Sequence, residues 1–138
     1  TLYFHAMLNN CLMVGTTDQA EWSVGFYDPY GDGASDVQIL RNLYKTQIRE
    51  LAKYLKAPEK TVNKPSSGDL AAGLPNESAI GLTYEQLDSI LWGLGHSLPE
   101  KEIVLQTRVT PAAIAAVQKA MSIARLRERL PSMLPLLP

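Results

Sequence analysis

The feature that most restricts the fold is a short apolar run, Cys11-Leu12-Met13-Val14, which stops at Gly15-Thr16-Thr17. Bounded this way, the run suits a buried strand of the parallel kind, which belongs to α/β folds. Its C-terminal end opens into a polar loop, and in open α/β sheets ligands collect at such strand ends. Cys11, inside the presumed strand, is expected to be a packing residue.

Helical signals surround the strand. Leu2, Phe4, Ala6 and Met7 fit a short helix that ends near Asn9-Asn10. Asp28 to Asp36 is turn-forming, with Asp32-Gly33 at its centre. A helix is expected over about Arg41 to Leu55, where Leu40, Tyr44, Ile48, Leu51, Ala52 and Leu55 share a face. Lys64 to Gly81, rich in Pro, Gly and Ser, reads as a long loop of the functional kind. Thr83 with Gln86 makes a capping box for a helix carrying Leu87, Ile90, Leu91 and Leu94. A shorter helix follows Pro99. Thr110-Pro111 opens the last one, with Ile114, Val117, Met121 and Ala124 along its apolar face.

Composition narrows the class. The 138 residues make one domain's worth of chain with enough bulk for a core. A formal charge of −1 offers no field to hold a polyanion, which argues against nucleic acid as the main partner. One cysteine excludes an internal disulfide and fits a reducing compartment. No apolar run approaches the roughly 20 residues that cross a bilayer, so a soluble, cytoplasmic chain without membrane contact is expected. The start at Thr1, inside a helical segment, and the Pro131 to Pro138 tail suggest part of a larger protein.

Generic chemical signals are sparse. Asp28, Asp32 and Asp36 lack the alternate-position spacing of a calcium loop. His5 and His96 are isolated, with no second ligand at zinc spacing. No Walker loop, Gly-x-Gly-x-x-Gly or Gly-x-Ser-x-Gly is present.

Longer patterns say more. Val14-Gly15-Thr16-Thr17-Asp18-Gln19-Ala20-Glu21 is followed by Gly25-Phe26-Tyr27 and Tyr30-Gly31-Asp32-Gly33-Ala34-Ser35-Asp36. Leu43 to Ala52, Lys64 to Leu70, and Glu77 with Gly81 to Tyr84 and Leu87-Asp88 continue the series. In order and spacing these blocks resemble the ammonia-dependent NAD synthetase family, its C-terminal portion, over roughly residues 2 to 94. The resemblance implies a doubly wound, Rossmann-like α/β domain of the adenine nucleotide alpha-hydrolase kind, largely helical in this portion. It implies a cytoplasmic homodimer that adenylates deamido-NAD with ATP and Mg²⁺ and then amidates it with ammonia. By residue, it implies that Thr16 contacts ATP, Glu21 binds magnesium, Lys45 and Ser67 hold ATP phosphates as the catalytic pair, and Asp36 binds deamido-NAD.

The chain also departs from the pattern. Asp28-Pro29 stand where the family carries Thr-Lys, and that lysine contacts substrate. Asn76-Glu77 replace a usual Asp-Glu. Arg125, Arg127 and Arg129 keep basic character before Pro131, but the family's terminal histidine has no counterpart. The family's Ser-Gly-Gly-x-Asp-Ser phosphate loop, which lies upstream, is not among these residues, so the chain alone is expected to be inactive. Two other readings stay open: an inactive binding or dimerisation module, and a diverged adenylating ligase with another carboxylate substrate. The expected layout is a core over 1–63, a nucleotide-covering loop over 64–82, C-terminal helices over 83–130 and a tail over 131–138.

Overall fold

A computed structural model describes residues 1–67 and 75–127. The elements are α1 (Leu2–Leu8), β1 (Val14–Gly15), α2 (Gln19–Val24), β2 (Val37–Gln38), α3 (Lys45–Tyr54), α4 (Glu59–Val62), α5 (Asn76–Ile80), α6 (Tyr84–Gly95), α7 (Glu100–Thr107) and α8 (Pro111–Arg127). The two strands pair in parallel, with Val14 opposite Val37 and Gly15 opposite Gln38. Helix α2 supplies the crossover that a parallel pair requires. The Gly15 position is crowded: any Cβ there would collide with the Gln38 and Ser35 side chains.

The strand falls where the apolar run ends and is shorter than the run. Cys11, expected to be buried, is exposed, and its thiol donates to the Asn9 carbonyl at 3.3 Å. Leu12 and Val14 are exposed as well. Among the described residues the strand has two residues and the sheet two strands, which leave Cys11 and Leu12 at the start of the run exposed. Parallel sheets bury their residues only when helices cover both faces.

Helix α2 is bounded by local chemistry. Asp18 caps it, accepting from the Glu21 N–H at 2.8 Å, while the Glu21 carboxylate accepts from the Asp18 N–H at 3.2 Å. Its end is Gly25, at φ +72°, a left-handed conformation that favours glycine. Ala124 of α8 packs 3.1 Å from where a Cβ would stand. The same reciprocal capping, between Thr83 and Gln86, starts α6 as expected. Thr110 Oγ1 accepts from the Ala113 N–H at the head of α8.

Helix α3 begins later than its apolar period predicts. Leu43 N–H bonds back to Leu40 and the Leu43 carbonyl takes the Gln19 N–H, so 40–43 is a turn. Tyr44, with ψ 155°, is the extended residue before the helix. None of the α3 side chains is buried, and Leu51 and Leu55 are exposed. Within the expected loop from Lys64 to Gly81 the chain forms α5, which ends at Gly81 in a left-handed conformation. The Pro131 to Pro138 tail and Gly68 to Gly73 lie outside the described residues.

The core centres on α6. Tyr84, Leu87, Ile90 and Leu91 pack with Ala20 of α2, Ile103 of α7, and Ile114 and Val117 of α8. Burying each large aliphatic side chain contributes roughly 1.5–3 kcal/mol. The predicted apolar face of α8 is confirmed: Ile114, Val117 and Ala124 are buried and Met121 packs partly against them. This core fixes the N-termini of α2, α3 and α6 side by side, and the polar groups at those ends make the site.

Candidate functional site

Three helix starts converge on one lysine. Lys45, first residue of α3, projects its ammonium between two carboxylates from the head of α2. Its Nζ lies 2.6 Å from Asp18 Oδ2 and 3.0 Å from Glu21 Oε1. The Asp18 side chain is fully buried, while those of Lys45 and Glu21 are 16% and 15% exposed, so water screens this cluster weakly. Burial works to lower the Lys45 pKa, but the Asp18 hydrogen bond and the Glu21 and Asp18 charges outweigh it and raise the pKa above 10.5. Lys45 is therefore a cation at any physiological pH.

Helix α6 closes the third side. The Tyr84 hydroxyl donates to Glu21 Oε1 at 3.2 Å and accepts from Asn76 Nδ2 at 3.2 Å. Burial pushes its pKa up to about 12, so it stays protonated and remains a donor. The Lys45 ammonium sits 5.1 Å from the Tyr84 ring centroid, within cation–π range. Glu77 accepts the Tyr84 N–H at 2.8 Å and ties α5 to the head of α6. Asp88, one turn further along α6, accepts the Thr46 N–H at 2.8 Å and so holds the first turn of α3 that carries Lys45. Burial raises the Asp88 pKa, against the opposing hydrogen bonds from Thr46.

A polar cavity of about 380 Å³ opens above this cluster. The strand-end loop contributes Thr16 and Thr17, and the segment after α4 contributes Lys64, Ser66 and Ser67. Glu21, Asp32, Lys45 and Asn76 complete the charged and amide lining. The Ser66 carbonyl accepts the Asn76 N–H at 2.9 Å, joining the covering segment to α5. Two cations and a set of hydroxyls suit the oxygens of a phosphate chain. Among the described residues no cluster of three or more His, Cys, Asp or Glu could hold a metal. Glu21 meets Lys45 and Tyr84 through Oε1 and the Asp18 N–H through Oε2, so a magnesium ion there would have to share the carboxylate with them. A second cavity of about 340 Å³, lined by Val24, Ile80, Leu82 and alanines of α8, carries no charged group and offers nothing to this chemistry.

Four of the five residues singled out from the sequence, Thr16, Glu21, Lys45 and Ser67, line the same polar cavity. Asp36 does not. It stands beside Met13 at the opposite end of the sheet, where its carboxylate accepts from the Met13 N–H and the Tyr3 hydroxyl, each at 2.7 Å. The Met13 N–H first, and then the Tyr3 hydroxyl, hold its pKa below the usual carboxylate value. Asp18, Asn76 and Tyr84 went unassigned in the sequence. Asp18 was findable, because an Asp three residues before a Glu at a helix start is a capping signal. Tyr84 was not, since its role depends on α6 packing against α2.

A family model described as NAD synthase matches residues 1–131. This chain belongs to the NAD synthase family. An NH(3)-dependent NAD(+) synthetase of Coprothermobacter proteolyticus is 47% identical over 94 residues, covering 68% of this chain and 32% of that one. One from Saccharolobus solfataricus is 39% identical over 131 residues, covering 94% and 47%. Among solved structures, an NMN synthetase from Francisella tularensis aligns over 99% of this chain and 51% of its own, with TM-score 0.80 and 29% identity. An NH3-dependent NAD synthetase from Campylobacter jejuni aligns over 96% and 49%, with TM-score 0.71 and 28% identity. The family's fold is the adenine nucleotide alpha-hydrolase-like one, as expected, and this NAD synthase chain carries a mostly helical part of it with a small parallel sheet. The chain spans about a third to a half of the length of the curated relatives it matches.

Proposed function

We propose that this chain supplies one side of an NAD synthetase active site, in a protein that uses ATP to convert deamido-NAD and ammonia into NAD, AMP and pyrophosphate. The observation that carries the proposal is the Lys45 ammonium held between Asp18 and Glu21 on the wall of a hydroxyl-lined cavity. In the first step a nicotinate carboxylate oxygen attacks the α-phosphorus of ATP and the bond to pyrophosphate breaks. Lys45 neutralises charge that builds on the departing phosphates, and the Thr16 and Ser67 hydroxyls orient them. In the second step ammonia attacks the carbonyl of the adenylate, AMP leaves, and the ammonium proton passes to solvent. Glu21 would hold magnesium, which would supply further charge neutralisation at the phosphates. Asp36 serves the dinucleotide from the opposite end of the sheet. The protein works as a cytoplasmic homodimer; the exposed Leu2, Phe4, Met7 and Leu8 of α1 give it an apolar face to bury.

A mononucleotide acceptor is the second reading. It is favoured by the TM-score of 0.80 to the NMN synthetase and by Pro29 in place of the family's lysine. The test joins this chain to the N-terminal segment of a relative and supplies ATP, Mg²⁺ and ammonia with either deamido-NAD or nicotinate mononucleotide. AMP release that depends on deamido-NAD is the expected result. Release with the mononucleotide alone selects the second reading, and no AMP with either acceptor rejects both.

A further inference from the structure

Thr17 has no part in the reading above, yet it carries a physical anomaly. It is 3% exposed, and its hydroxyl has no hydrogen-bond partner among the described residues. A buried hydroxyl left unpaired is destabilising, and such groups are rare in folded proteins. Thr17 is held in that position by what flanks it. Gly15 before it is locked against Gln38 and Ser35, and Asp18 after it caps α2 and binds Lys45. Thr17 is among the residues around the polar cavity, together with Glu21 and Lys45, and its hydroxyl is shielded from solvent.

We propose that the Thr17 hydroxyl is a binding group for the nucleotide of this site and donates its hydrogen bond to a phosphoryl oxygen. The inference rests on the nucleotide reading of the cavity and adds a residue to it. Phosphate is the favoured acceptor because Lys45, Lys64 and several hydroxyls line the cavity, beside the carboxylates of Glu21 and Asp32. The unpaired hydroxyl is then a preorganised donor, whose cost is carried by the fold and relieved when the phosphate arrives.

This assignment makes two predictions of opposite sign. Thr17→Val keeps the β-branched shape and deletes the hydroxyl. It should leave the thermal midpoint unchanged or raise it, because it removes a buried polar group with no partner. It should weaken binding of Mg²⁺–ATP and of Mg²⁺–pyrophosphate by about tenfold or more, the usual effect of deleting a hydrogen bond to a charged group. Adenosine affinity should not change. Thr17→Ser should restore phosphate binding. Calorimetric titration of the chain joined to a relative's N-terminal segment with each probe, beside thermal melts without ligand, reads all of these. A lower melting point for Thr17→Val shows an internal partner and overturns the proposal. Unchanged phosphate affinity overturns it too, as does an equal loss for adenosine. Failure of the unsubstituted fusion to bind any probe rejects the nucleotide reading of the cavity, and the Thr17 assignment falls with it.

Discussion

Lys45 and Tyr84 reach the same oxygen of Glu21, one as an ammonium and the other as a hydroxyl donor. Both have pKa values raised above the ordinary ones, and both shape alkaline stability in the same direction. Unfolded tyrosine ionises near pH 10 and Tyr84 in the fold at about 12. Between those values the unfolded chain has shed a proton that the folded chain keeps, so stability falls as pH rises. The Lys45 contribution is fully present below 10.5 and is lost as pH climbs through its higher folded value. Tyr84→Phe should therefore flatten the fall of the urea midpoint between pH 10 and 12 without abolishing it. An identical slope in the variant would show that Tyr84 ionises freely and is not held by its burial. At this scale much of the site was legible. Lys45, Glu21, Thr16 and Ser67 were chosen by resemblance and share a cavity. Asp36, chosen the same way but for deamido-NAD and not for ATP, lies outside that cavity beside Met13.

Helices make up most of the described structure, and the starts marked by capping residues were read where they fall. Thr83 with Gln86 and Thr110 with Pro111 mark helix starts through contacts three residues apart, which any chain segment carries with it. The strand was harder. Cys11 and Leu12 are apolar enough for a core, but whether they are covered depends on neighbouring strands and helices that a local pattern does not encode. The apolar period of α3 misled for the same reason: its face exists, yet no residue on it is buried. Contact between α6 and α7 gives a test at this scale. A Cβ on Gly93 would stand 2.8 Å from Ile103 Cγ1, inside a helix that otherwise favours alanine over glycine. Overpacking of this kind costs about 1–3 kcal/mol and exceeds the roughly 1 kcal/mol that alanine contributes to a helix. Gly93→Ala should lower the thermal midpoint, and Ile103→Val, placed on that background, should recover part of the loss. A Gly93→Ala protein as stable as the parent would mean that α7 moves aside freely.

For the molecule as a whole, the three helix N-termini matter more than the two-stranded sheet. α6 packs against α2 and α3 at once, and that packing brings Asp18, Glu21, Lys45 and Tyr84 together from distant parts of the chain. Among the described residues no helix is long and apolar enough to cross a membrane. The apolar side chains of Leu2, Phe4, Met7 and Leu8 in α1, and of Leu12 and Leu126, are exposed. The central claim is that Lys45 serves ATP in this cavity, and pyrophosphate release tests it most directly. The chain, joined to a relative's N-terminal segment, is given Mg²⁺–ATP and deamido-NAD, and its release rate is compared with that of Lys45→Ala. The variant should release pyrophosphate about a hundredfold or more slowly, the scale seen when one charge-stabilising group is removed, with an intact fold by circular dichroism. Equal rates in the two proteins would contradict that claim.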